Sequence, residues 1–253
     1  MGTLLSAPVS GALMDFDPYN TRTEADSTHQ YGALVATSHG RDSYRHGKVG
    51  ASNVSKGKLQ QAPAPIANHV NQTIDSASNV AIGDKRVTLN NGGTAAAVGE
   101  YDQGWFITVD GTGEGQTLGV EHNAAAASSA DIVVDLDQPL AVALVAGTTE
   151  YTLAHNPYNA FVEAAVQTRN PSGFPLRDLL LGDFGWLKNR GVSSALGGSA
   201  VSLGGILGSD ASTAGAVTDA TDQSGVDAIV KVGAASIVAG ATGEYHPIVV
   251  SIE

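Results

Sequence analysis

The sequence predicts a mainly β protein: an extended N-terminal arm followed by small β-sandwich or β-barrel domains, with little helix. Three observations carry that reading. Glycine accounts for 31 of 253 residues and aromatic residues for only 6 %, a composition suited to turn-dense β structure built from small side chains. From about residue 80 apolar and polar residues alternate, which is the period of a half-buried strand. Short runs of this kind recur between Gly, Pro and Asn punctuation, the spacing of a sandwich or barrel.

Taken in order, residues 1–70 have little periodicity. The turn signals Asp17-Pro18-Tyr19-Asn20, His39-Gly40-Arg41-Asp42 and Ala62-Pro63-Ala64-Pro65 are spread through a polar stretch. This is expected to be an arm that gains its order against a partner; His29, His39, His46 and His69 lie in it, and His39 and His46 are expected to be exposed. Residues 71–170 form the expected central β domain and residues 171–253 a C-terminal β domain, or one continuous β unit with it. Trp105, Ile107 and Val109 are assigned one strand face and Phe106, Thr108 and Asp110 the other; Ile132, Val134 and Leu136 repeat the pattern. Further strands are expected at Leu140 to Val145 and Tyr151 to Leu153. Asn156-Pro157 can cap a helix across 161–166, although a strand through Phe161 and Val162 fits nearly as well. Beyond Asn170-Pro-Ser-Gly173, strands are expected at Phe184 to Leu187, Val201 to Leu203, Ile229 to Val232 and Ile248 to Ile252. Loops are expected from Gly208 through Asp219, Asp222 and Asp227. Trp105 and Trp186 are both read as core residues.

Charge and composition exclude several classes of function. With no cysteine there is no disulfide framework or thiol nucleophile. A net charge of −12 disfavours a nucleic-acid binder, whose partner it would repel. The charge is uneven, because residues 1–70 carry six Lys/Arg against five Asp/Glu, and residues 71–253 carry seven against twenty. Arg41, Arg45, Lys48, Lys56 and Lys58 face only Asp42 in sequence. With Tyr31 and Tyr44 interleaved, this basic stretch is a candidate contact surface for an acidic partner. The N-terminus lacks the charged and apolar regions of a secretory signal, and no apolar run is long enough to span a bilayer. The chain is therefore expected to have no membrane partner, and its two glycosylation-pattern sites, at Asn53 and Asn71, are read as chance matches.

The candidate reaction chemistry is thin. The run from Gly111 to Gly119 misses the dinucleotide spacing and lacks the Lys-Ser/Thr ending of a phosphate loop, so a hairpin loop is the expected structure. Asp131, Asp135 and Asp137 alternate as the solvated face of a strand. Asp219, Asp222 and Asp227 do not follow the ligand order of a calcium loop. His39 and His46 have no second pair of ligands nearby, and no nucleophile elbow occurs. No catalytic residue, cofactor or metal ligand is assigned, and the chain is expected not to be an enzyme.

Three groups of residues resemble the head decoration, or auxiliary capsid, proteins of tailed bacteriophages. The first lies within Tyr31 to Pro65, with Gly40-Arg41-Asp42-Ser43-Tyr44-Arg45, Gly47 and Gly57-Lys58-Leu59-Gln60-Gln61. The second runs from Gly104-Trp-Phe-Ile-Thr-Val-Asp110 through Asp137-Gln-Pro-Leu140 to Asn156-Pro-Tyr158. The third comprises Phe184-Gly-Trp186, Gly191, Thr213-Ala-Gly-Ala-Val217, Val232-Gly233 and Gly243-Glu244. The resemblance implies a virion structural protein made in the host cytoplasm and placed on the capsid exterior. There, as a homotrimer, it would bind the major capsid protein and reinforce contacts between capsid subunits as a cement. Arg41, Tyr44, Arg45, Lys48, Lys56 and Lys58 are the expected capsid-binding residues, and deleting residues 1–60 is expected to leave a folded body unable to attach. The alternatives are a tail, neck or head-fibre component, or a module that binds host glycans.

Overall fold

A computed structural model describes residues 17–19, 29–37, 41–75, 80–164, 169–220 and 234–252. The chain is mainly β. Two compact units divide it, one formed by Ala64–Asn159 and the other by Met1–Pro63 together with Ala160–Glu253.

The Ala64–Asn159 unit begins with a single 3-10 turn at Ala67–His69, followed by β4 (Gln72–Thr73), β5 (Arg86–Asn90), β6 (Trp105–Asp110), β7 (Thr117–Asn123), β8 (Asp131–Leu136) and β9 (Glu150–Ala154). They form one antiparallel sheet in the order β4-β9-β6-β7-β8-β5. The sheet curls, and the Tyr151 hydroxyl on β9 donates to the Asn90 carbonyl at the end of β5. Phe106, Val120, Ile132, Val134, Leu136, Tyr151 and Leu153 fill the inside, covered by Ile74, Val80, Tyr101, Leu140 and Leu144 from the connections. Alternation places Ile132, Val134 and Leu136 inward, as expected. On β6 the buried side is that of Phe106 and Thr108, and Trp105 is 39 % exposed. Trp105 lies opposite Gly119 on one neighbour and Ala154 on the other, so the outer face has room for its ring and the core does not need it. The Gly111 to Gly119 run is the expected hairpin loop between β6 and β7. Gly111 has φ +76, and a Cβ there would stand 2.0 Å from the Thr148 carbonyl oxygen. Leu140 to Val145 makes only the bridge Val80↔Leu144, not the expected strand.

The other unit contains β1 (Leu34–Ala36), β2 (Ser43–Lys48), β3 (Gln60–Gln61), β10 (Val162–Glu163), β11 (Pro171–Pro175), β12 (Phe184–Leu196), β13 (Leu207–Ser209), β14 (Val217–Asp219), β15 (Ala234–Ser236) and β16 (Tyr245–Ser251). The main sheet runs β1-β2-β12-β11-β3-β10, with β16 also on β12 and β15 on β16, while β13 and β14 form a separate hairpin. β12 pairs with β11 and, in turn, with β2 along Phe184 to Arg190 and with β16 along Arg190 to Leu196. Leu59, Phe174, Ala195, Val201, Leu207, Val217, Ile248 and Val250 form the core.

Several expectations change. The described part of residues 1–63 is not a separate arm: β2 lies between β1 and β12 in the sheet, and His46 is only 3 % exposed. The unit boundaries fall at 63/64 and 159/160 instead of 70 and 170. His69 belongs to the Ala64–Asn159 unit and is fully buried, while His39 lies outside the described residues. The reason is chemical: the buried side chains of β2 include Tyr44 and His46 in place of aliphatic residues, so hydropathy does not mark the strand. Deleting residues 1–60 would remove β1, β2 and half of β3, so the part of this unit left behind, Ala160–Glu253, is no longer expected to fold. Over 161–164 the alternative strand reading holds in place of the helix, since Phe161 bridges Val49 and β10 pairs with β3. Val201 makes one bridge, to Gly240, instead of a strand. Asp219 ends β14 and is not in a loop, while Ile229 to Val232, Asp222 and Asp227 lie outside the described residues.

Candidate functional site

Among the described residues of the Met1–Pro63 and Ala160–Glu253 unit, cationic and aromatic side chains are grouped on β2 and the first half of β12. Successive strand residues alternate faces and cross-strand partners share one. The register pairs Phe184 with Lys48, Trp186 with His46 and Lys188 with Tyr44, so these six side chains line one face in two columns. The His46 ring stacks on Phe184 at 5.9 Å and meets the edge of Trp186 at 5.1 Å. His29 covers both His46 and Trp186, at 4.9 and 5.2 Å, and Tyr31 stacks on Phe184 at 6.3 Å. The Lys48 ammonium sits 5.7 Å from the centre of the Phe184 ring and the Lys188 ammonium 5.5 Å from that of Tyr44, both within cation–π range.

Lys188 is the pivot of this face. Its side chain is 7 % exposed, and Nζ lies 2.8 Å from the Asp42 carboxylate while also donating to the Val192 carbonyl. A cation so far from water is tolerated because its donors are matched. The Tyr44 hydroxyl has its pKa pushed up to about 12, chiefly by burial and then by the negative charge of Asp42 and by Tyr19. It therefore stays protonated at any ordinary pH.

Past Lys188 the pairing slips by one residue, from Lys188↔Tyr44 to Arg190↔Ser43. Asn189 is the extra residue of this β-bulge. It is fully buried, and its Oδ1 accepts a hydrogen bond from the Ser43 hydroxyl at 2.9 Å. The bulge re-aims β12 away from β2 and leaves an open groove of about 520 Å³ lined by Thr37, Arg41, Asp42, Gly191, Val192 and Val249. Gly191 has φ +105, and a Cβ on it would stand 2.6 Å from the Arg41 carbonyl oxygen as well as 2.0 Å from Asp42 Oδ1, so only glycine allows the two backbones to come this close. The groove opens onto the outer face of β12 and β16, where Arg190, Val192, Pro247 and Val249 are exposed.

The six expected contact residues are thus sorted differently from their order in sequence. Arg41 is exposed at the groove and Lys56 is exposed in a turn whose backbone N–H bonds Asp178 at 2.9 Å. Lys48 is half-buried over Phe184, and Tyr44, 5 % exposed, lies beneath Lys188; its ring edge is not the open surface the sequence suggested. Arg45 points to the opposite face of β2, where Nη1 donates to the Gly32 carbonyl at 2.7 Å. Lys58 is paired with Glu163 at 2.7 Å. Sequence reasoning missed Lys188 and Asp42 as parts of the site. The alternation Phe184-x-Trp186-x-Lys188 was the available signal for the first of them.

The acidity of the chain is concentrated elsewhere. The Ala64–Asn159 unit has two Lys/Arg against eleven Asp/Glu, a net of −9, leaving −3 for the other unit. Both basic residues are on its surface strand edge, where Arg86 clamps Asp135 through two hydrogen bonds of 2.6 and 3.0 Å and holds that carboxyl below its ordinary pKa. Asp137 accepts the Gly119 N–H at 3.0 Å. Among the described residues no three His, Cys, Asp or Glu side chains are grouped to hold a metal ion, and no helix is long and apolar enough to cross a membrane. Comparison with protein-family models, with curated proteins and with solved structures found no match.

Proposed function

We propose that this chain is a non-enzymatic virion structural protein that binds the outside of a tailed-phage capsid, as a homotrimer, and reinforces contacts between major capsid subunits. The observation that carries the reading is the segregation of charge. Nine of the twelve net negative charges belong to the Ala64–Asn159 unit, while the other unit offers Arg41, at the mouth of an open groove, and Lys56. Both units are net negative, so an acidic surface repels the Ala64–Asn159 unit the more strongly, and Arg41 and Lys56 supply the other unit's local attraction to it. The more acidic unit then favours solvent and keeps neighbouring particles apart. Weak attachment at each copy is sufficient on a symmetric shell, where many contacts act together.

Attachment rests on Arg41 and Lys56 rather than on the whole basic stretch, because Lys58 and Arg45 are committed to internal partners. Purified virions carrying Arg41→Glu and Lys56→Glu are expected to lose most of the protein at physiological salt, and unaltered virions to shed it as ionic strength rises. Imaging of these particles supplies the decision. Full occupancy by the double variant overturns the docking surface, and density confined to the tail or a vertex moves the reading to a tail or neck component.

A further inference from the structure

The Ala64–Asn159 unit buries a chain of titratable groups that capsid attachment does not use. His69, in the 3-10 turn, is fully buried. Its Nε2 lies 3.0 Å from the Thr94 carbonyl oxygen and its Nδ1 2.5 Å from the Tyr101 hydroxyl. A carbonyl only accepts, so Nε2 carries the hydrogen. Nδ1 is then bare, and Tyr101 donates to it. Tyr101, also fully buried, stacks its ring on His155 at 4.6 Å. His155 Nε2 is 3.8 Å from Glu100 Oε1, and Glu100 in turn accepts the Ala97 N–H at 2.8 Å. From within the same 3-10 turn, Asn68 Nδ2 donates to the Thr94 hydroxyl at 2.8 Å. The backbone from 91 to 104 is thereby tied to the 3-10 turn by this bond and by one neutral imidazole.

We propose that His69 and Tyr101 form an acid-released latch that holds the 91–104 connection to the 3-10 turn. Protonation would place a hydrogen on Nδ1, opposite the hydroxyl hydrogen of Tyr101. The Tyr101 hydroxyl hydrogen would have to rotate away and lose its acceptor, leaving its oxygen to accept from Nδ1, and an imidazolium would be left in a fully buried site. The groups that face His69 set the balance. Burial lowers its pKa, and nearby His155 acts in the same direction, while the Thr94 carbonyl and the Glu100 carboxylate oppose them. Tyr101 stays protonated, its pKa raised by burial and by the charge of Glu100 and the proximity of Tyr151. For Glu100, burial works upward, but contact with His155 and the Ala97 N–H outweighs it and the carboxyl is held below its ordinary range; it remains charged in mild acid. A histidine whose folded pKa lies below its unfolded value leaves stability intact at neutral pH. That stability is lost as pH falls below the unfolded value of about 6.5.

Hydrogen exchange, followed peptide by peptide in the full-length chain at pH 7.5 and 5.5 and corrected for intrinsic rates, tests the latch. Peptides spanning 66–70 and 91–104 are expected to lose protection in acid, by up to about tenfold for each unit of pKa depression, while those of β7 and β8 do not. His69→Gln is the informative variant, because its side-chain N–H can face Thr94 and its oxygen can accept from Tyr101 at every pH. It is expected to keep the protection and lose the pH dependence. Equal acid sensitivity in His69→Gln overturns the proposal. Should that variant fail to fold, the ring-nitrogen NMR shifts of His69 in the unaltered chain decide: an Nε2–H neutral ring persisting below pH 6 supports the latch, and titration near 6.5 or the opposite tautomer refutes it.

Discussion

Single residues in this protein are constrained by what approaches their backbone as much as by what their side chains contact. Gly191 illustrates this. Its left-handed φ of +105 and the Asp42 carboxylate oxygen 2.0 Å from a notional Cβ are independent obstacles to any side chain. Gly191→Ala is therefore expected to cost about 2–4 kcal/mol, read as a lower denaturation midpoint with an unchanged slope. A loss under about 0.5 kcal/mol would mean that the turn relaxes freely. The glycine was visible in the sequence, but its obligation was not. That comes from Arg41 and Asp42, far away along the chain, with the Asp42 carboxylate held in place by Lys188. Tyr44 and His46 mislead in the same way: on composition they suit a contact surface, and only pairing with a distant strand buries them.

Among the elements, β12 is the one on which the fold depends, since it completes one ladder with β2 and begins another with β16. The hinge between them is the single extra residue Asn189. Asn189→Ala keeps the residue count and should cost about 1–3 kcal/mol, for the lost hydrogen bond to Ser43 and the hydroxyl left behind. Deleting Asn189 is a different perturbation, because a one-residue shift turns every later side chain of the strand to the wrong face. It would put Arg190 and Val192 where Asn189 and Gly191 now sit, and the near-UV circular dichroism of the native state should be lost. Retention of that spectrum would show that the bulge can migrate. The sequence was most legible at this scale where neighbours in sequence are neighbours in space: the hairpin of β6 and β7, and the inward Ile132, Val134 and Leu136, were all readable from period and turn chemistry. The 13-residue length of β12 was not, because its central Lys188-Asn189-Arg190 is polar and a strand buried on both sides by polar partners has no hydropathy signature.

For the molecule as a whole, mainly β architecture followed from composition, but its division did not. Expected boundaries near 70 and 170 tracked changes in polarity, whereas the observed ones track which strands pair. Since the Ala64–Asn159 unit has its own sheet and core, that fragment expressed alone should fold, with a cooperative thermal transition and the circular dichroism of an antiparallel β-sheet. A fragment that melts without cooperativity would show that the unit draws stability from the rest of the chain. The order of the strands along the chain also governs how the protein is born. Ser43 finds its partner Asn189 only after 146 further residues, which a ribosome adding about 5–20 residues per second delivers roughly 7–30 s later. Through that interval the middle of the nascent polypeptide can already be complete while its leading end waits, sticky with Tyr44 and His46, for a strand that has not been translated.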